Sequence, residues 1–345
     1  MKTLAAVLVD TGKPLVLAEL EIPALQPGQV IVEIGFSGVC HTQLLESRGY
    51  RGKDAFLPHC LGHEGSGTVV EIGPGVSKVA PGDQVILSWM KGSGADVNRV
   101  VYRWGDRQVN AGGVTTFGRH AVVSENRLTV TPPGISPREA ALLGCAVPTG
   151  LGAVLNTAAP KPGQSLAVFG VGGIGLCSVA GAVMAGCAPI IALDVKKDRV
   201  EAARSLGASH GFLVGLDDVA EGIKKACPGG LDFAIEASGR PEAMRQALSS
   251  VRPRGGTCVI VGNARHGERL DIEPMEFNLG KRLLGTWGGD NMPDRDFPRY
   301  AEIVRAGSLD LKPFLSASYL LEAVNEALDD LEAGRVLRPL IEMAC

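Results

Sequence analysis

Two short stretches carry side chains suited to hold a metal. "GVCHTQLLESRG" offers Cys40, followed by His41 and Thr42, and "LPHCLGHEGSG" offers His63 with Glu64 beside it. A thiolate and an imidazole suit zinc, which takes sulfur and nitrogen ligands. The two stretches are too far apart in the chain for a compact finger, so such ligands must converge through the fold. Cys60 and His63 form a tempting CxxH pair, but Cys60 falls in an apolar slot after Pro58 and reads as core. A third thiol, Cys145 in "LLGCAVPTG", stands between an apolar run and a Pro-Thr-Gly break. Its surroundings alone leave it either a buried core residue or something chemical.

A different chemistry belongs to "GVGGIG", in which Gly170, Gly172 and Gly175 have the spacing GxGxxG, with Gly173 and Ile174 between them. The first glycine permits a tight turn, the second lets backbone approach a pyrophosphate, and the third lets helix pack on strand. The diphosphate would sit over the amides that open the following helix. Asp194 closes the next apolar run about 20 residues on, where a carboxylate accepts from a ribose 2′-hydroxyl. It would repel a 2′-phosphate, which favours NAD over NADP, although Lys196, Lys197 and Arg199 follow closely.

The elements that must position these groups differ along the chain. In the middle third, "SLAVFG", "PIIALD", "LDFAIEASG", "GGTCVIVG" and "RLLGTW" read as strands, with "GLCSVAGAVMAG", "DRVEAARSLG" and "PEAMRQALSS" as helices between them. This alternation predicts right-handed crossovers and a doubly wound parallel sheet, an α/β Rossmann domain. Before residue 146 the texture changes to short strands and many turns, "VIVEIGFSG", "GTVVEIG", "GDQVIL" and "FGRHAVV", which suits a mainly β, partly open barrel.

Composition agrees with a soluble two-domain protein. The chain has 345 residues, more than one core usually supports, with 45% hydrophobic and 21% charged residues. Acids number 37 against 34 Lys and Arg, so no nucleic-acid or anionic-membrane partner is indicated. Residues 164–193 carry no charge, but Pro162, Gly163 and Pro189 bracket the run and glycines break it, so it reads as strand, turn, helix and strand. "LAAVLV" near the start is too short for a signal segment, and a cytoplasmic protein is expected. The eight cysteines are widely spread without a CxxC, which suits reduced thiols.

Nearly the whole chain resembles the medium-chain, zinc-dependent alcohol dehydrogenases. The resemblance rests on "GVCHT", "LGHEGSGTVVEIGPGVSKVAPGD", "LLGCAVPTGLGAV", "AVFGVGGIG" with "ALDV", and "GRVLRPLIEM". It implies one catalytic zinc on Cys40, His63 and Cys145, with a fourth position open to water or substrate. It gives Thr42 the substrate hydroxyl and the first step of a proton relay, and makes Glu64 a group that can approach the metal. His41 and Arg338 would lie near the cofactor pyrophosphate, Arg199 near the adenine ribose, and Thr149 and Ile174 beside the nicotinamide, with Val261 also in the NAD site. It further implies a GroES-like catalytic domain over 1–146, an NAD-binding Rossmann domain over 147–286, and a segment 287–345 returning to the catalytic domain.

The implied reaction is hydride transfer between an alcohol and NAD, giving an aldehyde or ketone, in a homodimer or homotetramer. A zinc-free NAD(P)H-dependent reductase of the same superfamily, or a non-catalytic NAD-binding protein, are the alternatives. Three departures stand out. Residues 87–114 lack the four cysteines that hold a structural zinc in many family members, and read instead as a hairpin turning at "GD". Its Trp89, Tyr102 and Trp104 are expected to pack on a second subunit. Leu45 replaces the histidine that often ends the proton relay, and Gln43 replaces an acid that would orient the zinc-bound histidine.

Overall fold

The uncharged run at 164–193 forms the strand Leu166–Phe169, the helix Gly173–Met184 and the strand Ile190–Asp194. No helix among the described residues is long and apolar enough to cross a membrane. The structure is a computed structural model describing residues 1–343 except Asn98 and Ser316; Cys345, one of the expected reduced thiols, lies outside the described residues. The chain forms two compact units, Ala146–Asn291 and Met1–Cys145 together with the chain from Met292 onward.

The Ala146–Asn291 unit is built on a six-stranded parallel sheet. Across the sheet run His210–Leu213, Ile190–Asp194, Leu166–Phe169, Phe233–Glu236, Thr257–Ile260 and Arg282–Gly285. In chain order that is third, second, first, fourth, fifth and sixth, the doubly wound arrangement. The central strands "LAVF" and "IIALD" are buried along their whole length, because a parallel sheet covered on both faces has no solvent side. His210–Leu213 at the edge is only half-buried and mixed in polarity, so periodicity did not mark it.

In the other unit, five strands close into a barrel: Lys2–Leu8, Val16–Glu21, Val100–Trp104, Arg107–Ala111 and His59–Cys60. Closure depends on His59–Cys60, which pairs with Leu8 and Val7 on one side and places His59 opposite Asn110 on the other. Two residues are too few to carry an alternating pattern, so the sequence suggested an open edge there. Cys60 is buried in the barrel core, and burial pushes its thiol up to about 12.

A seven-stranded sheet stands beside the barrel, with Gln29–Gly38 at its centre. That strand pairs with Glu64–Ile72, His120–Ser124 and the returning strand Leu340–Glu342. The last pairing brings the chain's end back beside Cys40.

The hairpin at 100–111 turns at Gly105-Asp106 and supplies two of the barrel's strands. Its aromatics, expected to pack on a second subunit, are covered at least in part within this unit. Tyr102 is 2% exposed, with its hydroxyl accepting from the Val122 N–H, and Trp104 packs partly buried on the barrel core. Trp89 packs against this unit's main core. The loop before the hairpin is organised by carboxylates: Glu125 accepts from the N–H groups of Ser77, Lys78 and Ala95, and Asp294 pairs with Lys78.

Candidate metal centre and cofactor turn

Cys40 lies where the strand Gln29–Gly38 gives way to the short helix His41–Ser47. Its sulfur is 3.8 Å from the Thr42 hydroxyl. Gln43, buried in the helix's first turn, accepts from the Cys40 N–H at 3.0 Å and contacts Nδ1 of His63 with its amide nitrogen. His63 enters just before the strand Glu64–Ile72. Cys145 follows the helix Pro137–Leu142, which a Ser136–Glu139 capping box starts. Gly144 must be glycine: a Cβ there would lie 2.3 Å from the Leu87 carbonyl oxygen.

These connections bring one donor atom each from Cys40, His63, Glu64 and Cys145 within 4.8 Å of one another. Both sulfurs and the Glu64 carboxylate are buried. Nε2 of His63 and Oε2 of Glu64 are buried without a hydrogen-bond partner. Unpartnered polar atoms in such a place are costly unless something fills the space among them. Two thiolates and an imidazole are a donor set that zinc takes in catalytic sites, so the residues fit the metal.

The electrostatics of the group fit as well. The hydrogen bond with Cys145 holds the Cys40 thiol well below its ordinary range despite burial, with Arg338 and His63 assisting. The same bond and burial push Cys145 well above that range. Burial disfavours charge on His63, but the hydrogen bond and charge of Cys40, with Glu64, raise it. Burial also raises Glu64, opposed chiefly by Arg338.

Arg338 was expected beside a pyrophosphate. Its guanidinium is buried and paired with Oε1 of Glu64, one of the four residues whose donor atoms converge. His41 is exposed at the start of its helix, and Leu45 is buried. The sequence had suggested no site role for Trp89, whose indole N–H donates to the Cys145 sulfur at 3.3 Å; an aromatic immediately after a strand carries no local mark of such a contact.

In the other unit, Gly170 adopts φ +87°, and a Cβ there would meet Ser238 at 2.8 Å. A Cβ on Gly175 would stand 1.9 Å from the Gly170 carbonyl oxygen. A Cβ on Gly172 would meet only Arg199, at 3.8 Å, so the space a diphosphate needs is open there. Gly172 caps the helix Gly173–Met184, which begins with Gly173 and Ile174. Asp194 accepts from the N–H groups of Val171 and Lys196, with Arg199 4.0 Å away. Each oxygen keeps a lone pair for a ribose hydroxyl. Thr149 is buried with its hydroxyl unpartnered, and Val261 is half-buried just past the strand Thr257–Ile260.

A doubly wound dinucleotide unit and a β unit holding a two-thiolate, one-imidazole group define a metal-linked, nicotinamide-dependent oxidoreductase. Residues 26–133 match the alcohol dehydrogenase GroES-like domain and 173–306 the zinc-binding dehydrogenase domain. The chain is 34% identical to S-(hydroxymethyl)glutathione dehydrogenase of Synechocystis sp., over 99% of this chain and all of that one. The crystal structure of benzyl alcohol dehydrogenase from Acinetobacter calcoaceticus superposes with a TM-score of 0.88 at 27% identity, covering 100% of both chains. An alcohol dehydrogenase zinc-binding domain protein from Burkholderia ambifaria gives 0.89 at 28% identity, again covering 100% of both.

The chain belongs to the zinc-dependent, medium-chain alcohol dehydrogenase family. It is an oxidoreductase that interconverts alcohols and carbonyl compounds with zinc and NAD.

Proposed function

We propose that the chain acts on primary alcohols and their aldehydes, with one zinc per chain on Cys40, His63 and Cys145. The observation that carries this is the convergence of those three donors around an unpartnered His63 Nε2. The relatives named for benzyl alcohol and S-(hydroxymethyl)glutathione act on primary hydroxyls, which supports the substrate class. The Trp89 ring, edge-on to His63 at 6.4 Å between centroids, adds a flat apolar wall that suits an alkyl or aryl group.

Bound zinc supplies Lewis-acid polarisation of an oxygen, and NAD supplies a hydride acceptor. Thr42, beside Cys40, takes the hydroxyl proton that the alcohol gives up and hands it to water. Gln43 holds the His63 ring and the Cys40 backbone together, fixing which ring nitrogen faces the donor group. Leu45 is buried hydrocarbon and moves no proton, so the proton leaves by another route. Glu64 stays in place through Arg338 and keeps one oxygen toward the group. Gly170, Gly172, Gly173, Ile174 and Gly175 cradle the diphosphate, and Asp194 selects a ribose that bears a free 2′-hydroxyl.

The protein works in the cytoplasm as a homodimer or homotetramer. No disulfide joins the described cysteines. The edge strand Arg282–Gly285 is mostly exposed, and Leu284, Trp287, Met275 and Phe277 near it are exposed too, an edge that a second copy would cover.

The test is elemental analysis of protein purified without chelator, with NADH absorbance over a panel of primary and secondary alcohols and aldehydes that includes benzyl alcohol and S-(hydroxymethyl)glutathione. One zinc per chain and NAD-linked turnover of primary alcohols are expected. A zinc-free active protein, or turnover confined to secondary alcohols, overturns the reading.

A further inference from the structure

We propose that Trp89 is a positioning residue of the metal centre, whose indole N–H holds the Cys145 sulfur and limits how much electron density that thiolate gives the metal. The inference rests on Cys145 being a ligand.

The indole Nε1 is 3.3 Å from Cys145 Sγ, a hydrogen-bonding distance for sulfur. The strap that carries Trp89 is tied to the Cys145 turn a second time: the Ser88 hydroxyl donates to the Gly144 carbonyl at 2.6 Å and accepts from the Met90 N–H at 3.0 Å. The Arg127 guanidinium donates to the carbonyl of Trp89 itself. Gly144 permits the close approach, since any Cβ would strike the Leu87 carbonyl. With its backbone held on both sides and its ring edge-on to His63, the indole is aimed at the sulfur.

The donor group explains why a donor is placed there. Two sulfurs and a carboxylate are buried together, and a buried anion needs hydrogen-bond donors or positive charge. Arg338 meets Glu64, and the Gln43 amide contacts His63, at a position where the family resemblance expects a carboxylate. Trp89 supplies an N–H donor to Cys145 in the same way. A donor on a ligating sulfur withdraws electron density from the metal, the opposite of a carboxylate behind a ligating histidine. The Trp89 donor therefore leaves the metal more electrophilic than its two thiolates alone would.

Trp89→Phe keeps an aromatic ring and removes the N–H. In the cobalt(II)-substituted protein the sulfur-to-metal charge-transfer band should move to lower energy, because a sulfur without its hydrogen bond gives up electrons more easily. Zinc affinity, read by competition with a chromophoric chelator, should fall about 10-fold, because the sulfur loses the contact that positions it and this outweighs its greater donation. Trp104→Phe, on the barrel hairpin, should change neither. In wild-type protein loaded with cadmium-113, the Trp89 indole proton should show scalar coupling to the metal through the sulfur, which holds even if the variant misfolds. An unmoved band, a band at higher energy, or no coupling overturns the proposal while leaving the metal site intact. Failure to bind cobalt, cadmium and zinc at all overturns the metal reading with it.

Discussion

Replacing Arg338 with leucine should destabilise the unit that carries the metal group far more than a surface change would. The side chains of Arg338 and Glu64 are 5% and 0% exposed, and they form one ion pair. Leucine leaves the Glu64 carboxylate buried beside two sulfurs with its main compensating charge gone. Breaking a buried pair from one side costs about 3–5 kcal/mol, because the remaining charge stays out of water. For a unit near 200 residues each kcal/mol is worth roughly 2–4 °C, so Tm should fall by about 6–20 °C. Glu64→Gln in the leucine background should recover part of the loss, since an amide carries no charge to strand. The assay is thermal unfolding of wild type, both single variants and the double variant, all zinc-loaded at pH 7, with NADH titration of the folded samples. If Arg338 were instead a solvated residue serving only the cofactor, leucine would weaken NADH binding and leave Tm within about 2 °C. That result, with no coupling in the cycle, refutes the buried-pair argument.

Asp194→Gly should narrow or reverse the preference for NAD over NADP, measured as the ratio of kcat/KM values, because Arg199 is then free to meet a 2′-phosphate; a wild-type enzyme that already prefers NADP refutes the reading of that strand end. Glu125→Gln should cost about 1–3 kcal/mol at pH 7, since three backbone donors lose a charged acceptor. Burial opposes its charge, but those donors and Lys78 hold the Glu125 carboxyl below its ordinary value of 4.5. Its stabilisation is therefore present above about that pH and lost as pH falls through the lowered value, so the variant's denaturant midpoint should converge on wild type as the solution is acidified below it. Cys145→Ser should lose zinc and orders of magnitude of turnover while keeping NADH affinity; full zinc with normal turnover would return Cys145 to the core.

The glycine turn and its acid were legible because their requirements are local. GxGxxG between an apolar strand and a helix states its own geometry, and the close approach of Gly175 to Gly170 is set within one turn of chain. The central parallel strands were legible for the same reason, as continuous apolar runs. The closing strand His59–Cys60, the edge strand His210–Leu213 and the burial of Tyr102 were not, since each follows from long-range pairing rather than from a local period. Cys40, His63 and Cys145 could be named from their types and from family resemblance. Their convergence within 4.8 Å, and the contacts of Gln43, Arg338 and Trp89, depend on pairings between segments up to 274 positions apart. Sequence determines which side chains can do the chemistry. Only the packed structure decides which charges share a buried space, because desolvation acts on neighbours in space and not along the chain.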